Sequence, residues 1–205
     1  MKNQFSLILK RPLPDLVTLT GTIPFILSLF FVLHGKPELA LLFSVVNFFI
    51  DSVDGAIARK LNVASDFGRQ LDSYLDALIY LVFPALFMIE FFNANQVLTL
   101  ATAIIIISAG ILRLVRFNIV GFVYQEEKPY YSGLGTAYIL LAVSLLFIAK
   151  HWLGTAIDWL APLVLITMSV AMISEIPIRK PKLSFWYAIS IIITLLLLAL
   201  LFKWI

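Results

Sequence analysis

Cysteine is absent from the 205 residues, and histidine occurs only at His34 and His151. Disulfides and thiolate metal centres are therefore excluded, and a histidine-based metal site has too few ligands. Charge is scarce too: Asp, Glu, Lys and Arg make up 13% of the chain, where a soluble domain carries about 25%. What fills the chain is apolar. Hydrophobic residues make up 61%, and their runs repeatedly reach the ~20 residues that span a bilayer. A soluble globular domain is excluded. The composition predicts an all-α integral membrane protein, and the net charge of +3 reports membrane topology rather than affinity for nucleic acid.

Taken in order, the chain predicts one membrane domain over residues 1–205: six core transmembrane helices, a seventh at the end, and an N-terminal amphipathic segment on the membrane surface. Residues 1–15 mix Phe5, Leu7, Ile8 and Leu9 with Lys2, Lys10 and Arg11, as surface segments do, and Pro12 and Pro14 break them off. Spans are expected at about residues 16–33, 39–60, 68–91 (kinked at Pro84), 97–117, 133–149, 159–172 and 185–201. Asp66 is expected to cap the third, and residues 118–131 and 174–182 read as loops. The first apolar run lacks a small-residue cleavage site, so no removable signal peptide is expected.

Orientation follows from the basic residues. With the N-terminus in the cytoplasm, twelve of the fifteen Lys and Arg fall inside: Lys2, Lys10, Arg11, Arg59, Lys60, Arg69, Arg113, Arg116, Lys128, Arg179, Lys180 and Lys182. Lys36, Lys150 and Lys203 fall outside. The positive-inside rule then sets the cell (inner) membrane protein's polar ends toward the cytoplasm.

One stretch is chemically unlike the rest. Residues 51–76, DSVDGAIARKLNVASDFGRQLDSYLD, hold five of the twelve acidic residues. A carboxylate at the centre of a membrane helix costs about 2.5 to 3.5 kcal/mol, so Asp51, Asp54, Asp72 and Asp76 together would cost on the order of 10 kcal/mol uncompensated. Bound divalent cations would offset most of this. Asp51 and Asp54 lie about 60° apart around one helix, and Asp72 and Asp76 about 40° apart around the next. Each helix thus offers a pair on one face. Antiparallel packing through the link carrying Asn62 and Gly68 converges the pairs on oxygen-preferring ions such as Mg²⁺. Gly55, Ala58 and Gly68 keep the acidic faces open for something bulky, such as a nucleotide.

The pattern Asp51-x-x-Asp54-Gly55-x-x-Ala58-Arg59, then eight residues, then Gly68-x-x-x-Asp72-x-x-x-Asp76, resembles the signature of the CDP-alcohol phosphatidyltransferases at all eight positions. The resemblance implies that Asp51, Asp54, Asp72 and Asp76 hold two divalent ions, Mg²⁺ or Mn²⁺. It implies further that Asp76 deprotonates the acceptor alcohol and that Gly55, Ala58, Arg59 and Gly68 form the CDP pocket. The donor would be CDP-diacylglycerol or CDP-archaeol, with CMP leaving, and relatives imply a homodimer. Pro14-Asp15-Leu16-Val17-Thr18 is similar to the family's Pro-Asn-x-x-Thr start, with Asp for Asn. Asp15 and Thr18 can equally serve as helix cap and first turn.

For the acceptor, the RLVRFN end of the fourth span, the Gly133-Leu134-Gly135 opening of the fifth and the MISEIP run at 172–177 resemble the phosphatidylserine synthase branch, which favours L-serine. That branch has Ala where Val115 stands and Pro where Gly135 stands. Arg113 and Arg116, with Asn118 beside them, are candidates for binding the serine carboxylate or a lipid phosphate. A positive-inside anchor is the alternative. Glu126 and Glu127 read as solvated loop. Two other functions fit less well: the same transfer to glycerol phosphate, inositol phosphate or choline, and a divalent-cation transporter. A transporter would place its site at the midplane between repeats, and no repeat is evident.

Overall fold

The computed structural model describes residues 13–61, 65–121, 123–125, 128–179, 181 and 183–203. Of the expected surface segment at residues 1–15, residues 1–12 lie outside these. Helix α1 (Leu13–Thr20) contains Pro14 in its first turn rather than ending on it, because proline's missing N–H costs nothing there. After a break at Gly21, α2 (Thr22–Leu33) continues the apolar run. Then follow α3 (Pro37–Leu61), α4 (Asp66–Ala77), a π-helical turn (Leu78–Val82), α5 (Phe83–Phe91), α6 (Gln96–Val120), α7 (Ala137–Leu153), α8 (Ala156–Ile173) and α9 (Leu183–Leu201).

Among the described residues, five stretches are long and apolar enough to cross a membrane: 15–33, 66–91, 96–120, 156–173 and 184–201. The 17-residue α7 is a shorter apolar helix, and the 25-residue α3 carries the polar window at its C-terminal end. The chain is a multi-pass, nearly all-α membrane protein. Its exposed surface fits a bilayer, with residues such as Ile23, Ile104, Leu163 and Leu195 each more than half exposed.

The central layer is the 66–91 helix. Phe83, Phe87 and Met88 are fully buried between α6 and α7. Gly110 of α6 lets that helix approach closely, since a β-carbon there would run into the Leu81 side chain. Pro84 has no N–H to donate. The chain absorbs this with the π turn just upstream, where the Phe83 N–H donates to Leu78 O, five residues back. The expected kink is thus an inserted residue.

Two expectations about local structure are corrected. Ser65, in extended conformation, caps α4 by accepting the Gly68 N–H at 3.0 Å. Asp66 is the next residue, in the first turn, where it pairs with Arg69. The expected loops also contain strands: β1 (Val123–Gln125), β2 (Lys128–Ser132) and β3 (Pro177–Arg179) form an antiparallel sheet, with Tyr130 opposite Arg179 and Tyr131 opposite Ile178. Glu126 and Glu127 lie outside the described residues.

Candidate metal and substrate site

Asp51 comes from α3, Asp72 and Asp76 from α4, and α1 packs against both helices. Each of the three carboxylates offers an oxygen, and these oxygens lie within 4.8 Å of one another. All three residues are half-buried. They share a cavity of about 10 Å³ with Thr18, Gly21 and Asn47. That is room for about one water or one small ion between the carboxylates. Three acidic groups around so small a space, at the end of an apolar bundle, repel one another unless a cation joins them. An all-oxygen donor set of this kind fits a hard divalent cation.

The helix positions explain the convergence. Asp72 and Asp76 share the α4 face by their i, i+4 spacing. Beneath them Tyr80, 1% exposed, sits in the π turn and donates its hydroxyl to Asp51 Oδ2 at 3.2 Å. The bond ties α3 to the 66–91 helix and orients one carboxylate. Tyr80 was not among the expected residues, although it stands four positions beyond Asp76, where a tyrosine extends the acidic stripe. Asn47, one turn before Asp51 and 1% exposed, braces the α1–α2 break: its amide donates to Gly21 O at 2.6 Å and accepts the Phe25 N–H at 3.1 Å.

The side chains of Asp54, Gly55, Ala58 and Arg59 lie outside the described residues, although the α3 backbone carries them next to Asp51. A β-carbon on Gly68 would stand 2.8 Å from Asp15 Oδ1 and 3.2 Å from Ser65 Oγ, so the α1 carboxylate packs close against it. Asp15 is 4% exposed and lies in the first turn of α1 rather than before it. Thr18, one turn on, lines the acidic cavity.

The basic candidates separate into different roles. Arg116 spends its guanidinium on the backbone: Nη1 donates to Ile173 O at 2.9 Å, and Nη2 to Ser132 O, Met172 O and Ser174 O at 2.7, 2.8 and 2.9 Å. These are mostly the orphan carbonyls at the C-terminus of α8, which a cation suits. Gly133 allows the knot to close. Its φ is +80°, and a β-carbon would come within 2.7 Å of both Arg116 Nη2 and Ser174 O. Arg116, expected as an acceptor-binding candidate, thus clamps backbone carbonyls at the ends of α8 and β2. Asn118 exchanges hydrogen bonds with Ser73 Oγ, at 2.9 and 3.1 Å, and so fastens α6 to α4 beside Asp72. Arg113 is different. It is 7% exposed, its guanidinium carbon lies 5.1 Å from the Phe117 ring and 5.5 Å from the Tyr131 ring, and it is in electrostatic reach of Asp76. Sequence spacing gave no hint that one arginine of the pair serves the fold and the other faces the acids.

Comparison with known proteins bears on this arrangement. The family model for CDP-alcohol phosphatidyltransferase matches residues 11–167. A CDP-diacylglycerol–serine O-phosphatidyltransferase of Bacillus subtilis (strain 168) is 33% identical over 129 residues, 60% of this chain and 67% of that protein. An archaetidylserine synthase of Methanothermobacter thermautotrophicus is 28% identical over 157 residues, 67% of each chain. A CDP-diacylglycerol–serine O-phosphatidyltransferase of Helicobacter pylori (strain 26695) is 27% identical over 195 residues, 92% of this chain and 81% of that one. The family model covers well over half the chain and includes every residue of the acidic cluster and its two flanking helices. The chain therefore belongs to the CDP-alcohol phosphatidyltransferase family and with it to the enzymes of phospholipid biosynthesis.

Proposed function

We propose that this protein transfers a phosphatidyl or archaetidyl group from a CDP-lipid to L-serine, releasing CMP. The observation that carries the reading is the convergence of Asp51, Asp72 and Asp76 from two helices onto one ion-sized cavity. The names of the Bacillus, Methanothermobacter and Helicobacter relatives support serine as the acceptor, and they leave both ester and ether donors in play.

Asp51, Asp54, Asp72 and Asp76 hold the metal ions, taken as two Mg²⁺ or Mn²⁺. When bound, such ions neutralise charge developing on the transferred phosphoryl group. Gly55, Ala58, Arg59 and Gly68 receive the CDP moiety. Asp76 takes the proton of the acceptor hydroxyl at a carboxylate oxygen. The acceptor oxygen bonds to the lipid-bearing β-phosphorus, and the bond from that phosphorus to the oxygen of CMP breaks. Arg113, in reach of Asp76, anchors the carboxylate of serine and so orients its hydroxyl. Tyr80 holds Asp51 in place as its hydroxyl partner. The site faces the cytoplasm of the cell membrane, where water-soluble serine and CMP meet a lipid-embedded donor, and the enzyme works as a homodimer.

Purified protein is assayed with CDP-diacylglycerol and L-serine, glycerol 3-phosphate, inositol phosphate or choline, and CMP release is measured with and without EDTA. Serine-dependent, EDTA-sensitive release is expected. Release with another alcohol but not serine refutes the acceptor, and ion flux without any CMP release refutes the transferase.

A further inference from the structure

Tyr131 belongs to a segment that the sequence offers only as a polar loop. The sheet gives it a fixed place. It is paired with Ile178 across β2 and β3, the next residue's carbonyl accepts from Arg116 Nη2, and the one after, Gly133, donates its N–H to Ile176 O at 3.0 Å. The backbone on either side of Tyr131 is thus held by β3 and by the arginine clamp. Its side chain lies against Arg113: the ring centroid is 5.5 Å from the Arg113 guanidinium carbon and 5.8 Å from the Phe117 ring, which flanks the same cation.

The charged and titratable groups in reach of Tyr131 are Arg113, Tyr138, Asp51 and Asp76. It therefore lies against the cation and within electrostatic reach of the acidic cluster. Burial raises its hydroxyl pKa above the usual tyrosine range, ahead of the opposing pull of Arg113. The ring is neutral at pH 7 and contributes a wall rather than a charge.

We propose that Tyr131 is a specificity-determining residue of the acceptor subsite: its ring walls the Arg113 guanidinium so that one small carboxylate, borne on a short alcohol, is accepted and larger acceptors are turned away. The proposal rests on the reading that Arg113 anchors the acceptor. A phosphate monoester carries nearly twice the charge of a carboxylate and calls for more donors. Arg116 cannot supply them, because its guanidinium is occupied by four carbonyls. Gly135 sets the opposite boundary: a β-carbon there would touch the Tyr138 ring at 3.4 Å and Arg113 Nη2 at 3.8 Å.

The test uses the full chain in detergent with CDP-diacylglycerol, comparing L-serine with L-threonine. Tyr131→Ala is expected to raise the KM for serine about tenfold, the scale of a lost cation–π wall, and to raise threonine turnover relative to serine about fivefold or more. The KM for CDP-diacylglycerol stays put, and Tyr131→Phe, which keeps the ring, recovers the serine KM. Tyr131→Leu is run beside these, since it preserves apolar bulk in the strand if the alanine variant does not fold, and it is expected to behave as alanine does. An unmoved serine KM in the leucine variant, or a phenylalanine variant as impaired as alanine, overturns the role of Tyr131. Wild-type protein that uses only acceptors without an anionic group overturns the Arg113 anchor and the proposal with it.

Discussion

Among the described residues, two charge clusters stand toward opposite ends of the 66–91 helix. At one end Lys150 Nζ donates to Asp158 Oδ1 at 2.7 Å and to Phe91 O at 2.8 Å, while the Asn93 N–H donates to the same Asp158 oxygen at 3.1 Å. Three connections are stapled there by one positive and one negative group, with Asp158 only 2% exposed at its side chain. At the other end three carboxylates crowd within 4.8 Å. A balanced pair closes on itself and asks for nothing from outside. Three carboxylates gathered around one small space offer oxygen ligands to a divalent cation, which a closed ion pair does not, and this is how a fastener and a candidate site are told apart in a membrane protein.

The comparison breaks first if removing a charge has the same result at both ends. Asp72→Ala is expected to leave the protein membrane-inserted and folded while cutting CMP release on the order of a thousandfold; full turnover would remove it from the site. Lys150→Met should do the reverse, costing about 3 kcal/mol of stability because Asp158 is left buried and uncompensated, with activity of the surviving folded protein retained. Thermal unfolding in detergent reads this out, and the double variant Lys150→Met/Asp158→Leu should regain most of the loss. Tyr80→Phe sharpens the picture at the acidic end: loss of its bond to Asp51 should raise the divalent concentration for half-maximal turnover about tenfold, and an unchanged titration would make Tyr80 mere packing. Smallest of all is Val115→Ala, expected to shift serine KM by less than about twofold, because Val115 is 51% exposed and turned away from Arg113. Of the two departures from the serine branch, Gly135 is the one beside Arg113, whose Nη2 would lie 3.8 Å from a β-carbon there.

The acidic stripe and the apolar spans were legible because both are periodic, one at helical spacing and the other as runs of bilayer length. What escaped had partners that leave no trace in side-chain spacing. Arg116 bonds to main-chain carbonyls, which every residue has, so nothing distinguished it from Arg113 three positions earlier. The strands at 123–125, 128–132 and 177–179 are short, carry Lys128, Pro129, Pro177 and Arg179, and lack alternation, so they read as loop. Ser65 and Asp66 are adjacent and equally good caps, and only the Gly68 N–H shows which one is used. Asp15 packs close against Gly68 from fifty-three positions away in the sequence, a contact that no local spacing announces.

The five-residue turn at Leu78–Val82 leaves Asp66–Ala77 and Phe83–Phe91 one position out of phase on a shared axis. Winding the same residues as unbroken α-helix would instead turn Phe83 and Phe87 by about 100° away from their buried positions. The one-residue slip in the hydrogen-bond ladder is therefore what lets the acids and the buried phenylalanines each keep their own face.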